Sequence, residues 1–216
     1  MSLSHFGVLF LDEIPEFKRE ILELMRGPLE DSQVTISRVS GTITYPCDFM
    51  LIASMNPCPC GYYGSNDKEC SCSSEQISKY INRLSGPLLD RIDIHIEVQP
   101  VKYQDLASQR PTETSMQIKA RVNRARQLQL KRYAKDGITC NSQLTSSLIS
   151  KYCVLSDECK KILEDAFNKL NLSARAHNRI LKLARTIADL DESNNIKINH
   201  LAEAIQYRSL DRKYWG

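Results

Sequence analysis

The sequence lacks any long apolar run. No stretch approaches the roughly 18 to 20 consecutive apolar residues that a membrane-spanning helix needs. The chain also does not open with a charged segment followed by a short apolar one, which would indicate a secretory signal. We therefore predict no contact with a membrane and expect a cytoplasmic protein.

A Gly-Lys pair is missing as well. The phosphate-binding loop G-x-x-x-x-G-K-[ST] requires that pair, because its lysine reaches the nucleotide phosphates. The chain therefore does not encode such a loop. Histidine is scarce, and the four histidines show no ligand spacing to one another, so we expect structural or surface roles for His5, His95, His177 and His200.

The composition is that of an ordinary globular protein, with 42% apolar and 25% charged residues in 216. This length suggests one domain or two small ones. Residues 1–100 hold 8 Lys and Arg against 14 Asp and Glu, whereas residues 101–216 hold 21 against 12. The basic second half favours nucleic acid or nucleotide phosphate as a partner, or is simply a solvated surface.

Two adjacent acids follow the first apolar run of the chain. Val8–Leu11 is typical of a buried parallel strand, and it delivers Asp12 and Glu13 to the carboxyl edge of a sheet. Ligands bind at that edge in open α/β sheets. In phosphoryl-transfer enzymes the first acid helps to hold Mg²⁺ and the second can activate water. The alternative is a core strand that ends in two solvated acids.

The next segments predict a helix, a hairpin and a second buried strand. The apolar residues within 14–25 have the spacing of one helix face, and Gly27-Pro28 would end that helix. Residues 33–38 and 42–45 alternate as a β-hairpin with Arg38 near its tip. Residues 49–53 predict a second buried strand, after which Asn56 could bind an attacking water or mark a plain turn. Further on, residues 77–84 predict a helix and residues 92–98 a strand.

Four of the eight cysteines fall within fifteen residues, as two C-x-C pairs. Such clustering without a signal peptide indicates metal binding rather than disulfides. Four thiolates suit Zn²⁺, although the usual structural spacing is C-x-x-C, and four reduced thiols are the alternative. An ion held by four cysteines has no open coordination position and would be structural. The candidate ligands are Cys58, Cys60, Cys70 and Cys72.

The polar segment 101–115 contains Pro111 and predicts a linker between residues 1–100 and a helical domain, residues 116–216. Helices are predicted at 116–134, 144–152, 156–171, 175–191 and 200–209. Ser173 is a suitable N-cap for the fourth of these helices. Arg175 in its first turn opposes the helix dipole, and a residue that breaks a local rule is a candidate for function.

The order of these features resembles the magnesium chelatase-like AAA+ ATPases, in particular the ComM/YifB subgroup. Residues 8–13 resemble a Walker B strand, Asn56 a sensor 1 residue, and Ser173-Ala174-Arg175 a sensor 2 motif. Leu88-Leu89-Asp90-Arg91 resembles an arginine-finger motif. The resemblance covers nearly the whole chain. It implies a partial AAA+ core of the α/β class with parallel strands and a β-hairpin, followed by an all-α lid.

The resemblance also implies roles for these residues. Asp12 would hold Mg²⁺ on ATP, Glu13 would be the catalytic base, Asn56 would position water, and Arg175 would touch the γ-phosphate. Arg91 would reach into the site of a neighbouring subunit in a hexameric ring. The hairpin resembles the pre-sensor-1 hairpin of ring helicases, in which Arg38 would contact DNA.

The chain departs from the family's pattern in having no Walker A motif, and the family's N-terminal Lon-protease-like domain is missing as well. We therefore expect the C-terminal half of a longer DNA motor, a helicase or branch-migration factor of natural transformation, that is inactive as an ATPase by itself. Two alternatives remain: a chelatase-type ATPase that remodels a protein partner, and a non-enzymatic zinc-bearing DNA-binding module.

Overall fold

The computed structural model describes residues 1–39, 41–65, 68–99, 101, 113–170 and 172–208. These residues form two compact units, one comprising Met1–Ile92 and one beginning at Asp93. Most of the predicted linker, residues 101–115, lies outside the described residues. None of the described helices is both long and apolar enough to cross a membrane.

The first unit combines strands and helices. Its elements are β1 (Val8–Leu11), α1 (Arg19–Leu24), α2 (Arg26–Asp31), β2 (Gln33–Arg38), β3 (Gly41–Pro46), β4 (Met50–Ala53), α3 (Ser74–Ile81) and α4 (Gly86–Leu89). Strands β1 and β4 pair in parallel, and β2 and β3 form an antiparallel hairpin. The predicted α/β class, with parallel strands and a hairpin, is confirmed.

The parallel pair has one packed face and one exposed face. Alternate side chains point to opposite faces of a strand. On the packed face, Leu9, Leu11 and Leu51 contact a core of Ile14, Leu22, Met25, Leu84, Leu88 and Leu89. The opposite face exposes four large apolar side chains by 45 to 63%: Val8, Phe10, Met50 and Ile52.

The helix predicted over residues 14–25 is interrupted, and its predicted end at Gly27-Pro28 is wrong. Helix α1 ends at Leu24, and α2 begins at Arg26. Pro28 is the third residue of α2, where a backbone N–H has no partner within the helix. A proline is therefore tolerated at that position and does not stop the chain from remaining helical.

Two further boundaries differ from the sequence-based expectation. Helix α3 starts three residues before the predicted residue 77, because Ser73 and Gln76 cap it reciprocally. The strand predicted over residues 92–98 is not formed. An alternating pattern becomes a strand only where a neighbour completes its hydrogen-bond ladder. Here the His95 N–H donates instead to the carbonyl oxygen of Tyr207, at 3.0 Å.

The described part of the second unit is helical. Its helices are α5 (Ser115–Arg132), α6 (Ser146–Tyr152), α7 (Asp157–Leu170), α8 (Ala174–Leu190) and α9 (Ile198–Gln206). All five predicted helices are confirmed, with boundaries that differ by a few residues. Helix α8 lies at the centre of their core, which also includes Tyr133, Leu144, Ile149, Leu163 and Leu201.

A buried polar cluster joins these helices around Asp189, which is fully buried. Its carboxylate accepts hydrogen bonds from Arg132 at 2.9 and 2.5 Å and from Arg185 at 3.1 Å. The side-chain amide of Asn141 donates to it at 2.9 Å. Because a buried charge is costly unless it is paired and hydrogen-bonded, the two arginines are required partners of Asp189.

Candidate functional site

The acids that follow β1 meet a residue that follows β4. Ser54 Oγ donates a hydrogen bond to Oδ1 of Asp12. Ser54 Oγ also accepts a hydrogen bond from the backbone N–H of Glu13, at 3.2 Å. The side chains of Asp12 and Glu13, which directly follow β1, are both exposed to solvent. The carboxyl edge of the parallel pair thus presents two adjacent carboxylates, and one of them is held in place by a hydroxyl group.

Glu13 has a left-handed backbone conformation, with φ 50° and ψ 51°. Such a conformation is uncommon for a residue with a Cβ, and it costs about 1 to 3 kcal/mol. Main-chain bonds secure the turn on both sides, since the Ser54 N–H donates to Leu11 at 2.9 Å and the Ile14 N–H donates to Ser54 at 2.9 Å. This left-handed turn places the Glu13 side chain immediately after the strand.

Asn56 lies two residues beyond Ser54 and is exposed. Its backbone lies close to the hydroxyl group of Tyr80, a buried residue of α3. Burial raises the pKa of Tyr80, the polar backbone of Asn56 opposes that rise, and the negative charges of Glu16 and Glu13 add to it. Tyr80 is therefore close to both of the predicted site residues, Asn56 and Glu13.

A second residue attaches α3 to the same edge. The Arg83 guanidinium donates to the carbonyl oxygen of Pro15 at 2.9 Å and to the Glu16 carboxylate at 2.9 Å. These acceptors lie two and three residues after Glu13 in the chain. The position of α3 and the position of the acidic turn are therefore linked.

Arg91 is engaged within its own unit. Its side chain is only 7% exposed, and its guanidinium pairs with the Glu30 carboxylate. It also donates to the carbonyl oxygens of Arg26 at 3.1 Å and Pro87 at 2.6 Å. In this conformation Arg91 links α4 to α2.

Arg38 is the last residue of β2 and pairs with Gly41 across the hairpin, so its predicted place near the tip is confirmed. Every described residue from Thr35 to Pro46 is exposed. The hairpin therefore projects a cation and apolar side chains into solvent.

Arg175 belongs to the second unit, in the first turn of α8. Ser173 caps that helix as predicted, because its hydroxyl group accepts the Ala176 N–H at 3.1 Å. The Arg175 side chain is exposed, whereas Arg179, one turn later, forms an ion pair with Asp93. Arg175 and Arg179 thus differ in their exposure.

The two cysteine pairs converge on one point. The sulfur atoms of Cys58 and Cys60 are 3.4 Å apart, those of Cys58 and Cys70 3.7 Å, and those of Cys60 and Cys70 3.5 Å. All four sulfurs, including that of Cys72, lie within 4.8 Å of one another. A disulfide needs about 2.05 Å, so these are separate thiols. Four thiolates at about 2.3 Å from a tetrahedral Zn²⁺ are about 3.8 Å apart, which the cluster matches closely.

The electrostatics of the cluster also suit a cation. The backbone N–H of Tyr62 donates to Cys60 and lowers the pKa of that thiol to about 5. At Cys70 the backbone N–H of Cys72 also lowers the pKa of the thiol. Partial burial and the nearby sulfurs of Cys60 and Cys58 outweigh that effect and raise this pKa to about 12. Neighbouring thiolates repel one another, and a bound dication removes that repulsion.

The structure therefore brings together some of the predicted site residues. Asp12, Glu13 and Asn56 share one edge of the parallel pair, and the four cysteines share one point. Arg91 faces Glu30, and Arg175 belongs to the second unit. Sequence reasoning missed Ser54 and Tyr80. Their signals were weak, because a serine after a strand and a tyrosine within a helix are common in any protein.

Comparison with known proteins places the sequence of this chain in a family. Residues 1–106 match the family model for magnesium chelatase, subunit ChlI, and residues 112–208 match the model for the C-terminal part of ChlI. The chain is 45% identical over 214 residues to the competence protein ComM of Haemophilus influenzae. It is 45% and 46% identical to the uncharacterized YifB proteins of Salmonella typhimurium and Escherichia coli. These matches cover 98% of this chain but 41% of each relative.

Proposed function

Because this chain belongs to the magnesium chelatase ChlI family, we propose that Asp12 and Glu13 form one half of an ATPase site. The main support is Ser54, which bonds the Asp12 carboxylate and the main chain of Glu13 at the carboxyl edge of the parallel pair. Carboxylate oxygens are the ligands that Mg²⁺ prefers, and Asp12 is the acid that holds it on the nucleotide. Glu13 is then placed to orient and deprotonate the attacking water.

The other half of the site lies outside these 216 residues in our proposal. The chain has no Gly-Lys pair to hold the β- and γ-phosphates, and its relatives are more than twice as long. The bare face of the parallel pair gives independent support, because parallel sheets are covered on both faces. We propose that a segment carrying the phosphate-binding loop covers Val8 and Phe10.

Three further residues complete the proposed machinery in an assembled ring, which we take to be a hexamer. Asn56 positions the attacking water, and Arg175 contacts the γ-phosphate from the helical lid. Arg91 neutralises transition-state charge in the site of a neighbouring subunit, as an arginine finger does. This role requires Arg91 to exchange its contact with Glu30 for the neighbour's nucleotide.

The work of this ring is, in our proposal, movement on DNA in the cytoplasm. The exposed hairpin presents Arg38 for phosphate contacts, which need no sequence preference. The sequence from residue 101 onward holds nine more Lys and Arg than Asp and Glu, which favours a polyanion. Similarity to a competence protein supports a role in natural transformation, and we propose that this role is that of a helicase or branch-migration factor.

We also propose that the cysteine cluster holds one structural Zn²⁺. Its four thiolates match the ligand set of structural zinc sites, and they leave no position open for substrate. The ion is therefore a cross-link of the fold rather than a participant in ATP hydrolysis.

A second candidate function follows from the family itself. The matched models describe the magnesium chelatase subunit ChlI, which favours ATP-driven remodelling of a protein partner. The DNA-motor function and the chelatase-type function are distinguished by ATP turnover. The measurement uses a longer polypeptide that carries these residues together with a phosphate-binding loop. We expect single-stranded or branched DNA to raise the rate. A rate that no form of DNA changes would favour the chelatase-type function.

A further inference from the structure

The cysteine cluster joins two parts of the chain that both reach the proposed ATPase site. Cys58 follows Asn56 by two residues, and Cys72 directly precedes Ser73, the N-cap of α3. The loop between them doubles back at Gly61 and Gly64, whose φ angles of 82° and 78° favour glycine. A metal ion at the cluster therefore closes a loop of about fifteen residues, in which residues 58–65 and 68–72 form no helix or strand.

The far end of α3 returns to the same site. The Tyr80 hydroxyl group lies close to the Asn56 backbone, and Arg83, two residues after α3, donates hydrogen bonds to Pro15 and Glu16, which follow Glu13. Asn56 thus has the cluster on its C-terminal side and Tyr80 of α3 beside its backbone. The cluster also anchors the N-terminus of α3, so both restraints depend on it.

We propose that a thiolate-bound Zn²⁺ at Cys58, Cys60, Cys70 and Cys72 is the brace that positions Asn56 and α3 against the acidic turn. Removal of the ion frees the loop, since loop closure is what the metal contributes. The metal-free chain then keeps its strands but loses the fixed position of Asn56. The consequence for ATP hydrolysis rests on the function proposed above, whereas the metal site and its effect on Asn56 do not.

The metal site is tested on the 216-residue chain itself. We expect about one zinc per chain after preparation without chelator, and a Co²⁺-substituted form with sulfur-to-cobalt charge-transfer absorption in the near ultraviolet. Cys72→Ser should lower zinc affinity at least tenfold. Cys140→Ser, at a thiol of the second unit that bonds Ser142, should leave it unchanged. Less than about 0.2 zinc per chain, or equal loss in both variants, would overturn the site.

The brace is tested by amide resonances of the same chain before and after zinc removal. We expect the amide signals of Asn56 and Ser73 to shift or broaden, and that of Thr44 in the hairpin to stay in place. Readdition of Zn²⁺ should restore them. Zinc that leaves while Asn56 remains unchanged would overturn the brace. If these signals respond but Asn56→Ala leaves ATP turnover intact in the longer polypeptide, the catalytic role of Asn56 fails and the brace stands.

Discussion

Ser54 Oγ donates a hydrogen bond to the Asp12 carboxylate and accepts the backbone N–H of Glu13. This hydroxyl group, on a residue that directly follows β4, therefore orients the Asp12 carboxylate and holds the main chain of Glu13 just after β1. A group of this kind acts through the acids it holds rather than on the nucleotide, so we regard Ser54 as a positioning residue.

Ser54→Ala should lower ATP turnover of the longer polypeptide by roughly 10 to 100-fold, the usual cost of losing a partner of a metal ligand. The loss should be accompanied by a higher Mg²⁺ requirement, because Asp12 is no longer oriented. Ser54→Thr retains the hydroxyl group and should restore most of the activity. Ser150→Ala, at an exposed serine of α6, is the matched control. An unchanged Mg²⁺ dependence in Ser54→Ala would refute this role.

Arg91 should act on a neighbouring subunit despite its contact with Glu30. Arg91→Ala should reduce turnover by about 10³-fold or more, the usual contribution of an arginine finger. Mixing inactive Arg91→Ala and Glu13→Gln subunits should recover activity, because some sites then combine an intact Glu13 with an intact Arg91. No recovery on mixing would mean that Arg91 serves only to join α4 and α2.

Arg38→Ala should weaken DNA binding about equally for different sequences, because phosphate contacts carry no sequence information. The slope of log affinity against log salt should fall by about one. Arg19→Ala, at an exposed arginine of α1, is the control of equal charge. If both variants bind DNA with the same affinity, the hairpin tip does not contact it.

Asp189→Asn should destabilise the helical unit by about 3 to 5 kcal/mol, because it leaves Arg132 and Arg185 with an uncompensated buried charge. Denaturant unfolding of the 216-residue chain, followed by helical circular dichroism, measures the change. Asp165→Asn on the exposed face of α7 should change stability by less than about 0.5 kcal/mol. Equal effects of the two substitutions would show that the buried cluster is dispensable.

The sequence was sufficient for elements with a strong local pattern. The apolar runs of β1 and β4, the alternation of the hairpin and the period of the five later helices all predicted what formed. The break at Met25 and the missing strand over residues 92–98 were not predictable, because both depend on contacts made elsewhere in the fold. The same holds for Ser54, whose hydrogen bonds join residues more than forty positions apart.

In our proposal Asp12 and Glu13 are one half of an ATPase site whose phosphate-binding half lies outside these residues. The direct test is Mg²⁺-dependent ATP turnover, measured for the 216-residue chain and for the longer polypeptide with and without Glu13→Gln. We predict turnover only in the longer wild-type polypeptide, and a loss of about 10² to 10⁴-fold in its Glu13→Gln variant, which should still bind ATP. Turnover by the 216-residue chain that disappears in Glu13→Gln would mean that these residues alone contain a working ATPase site.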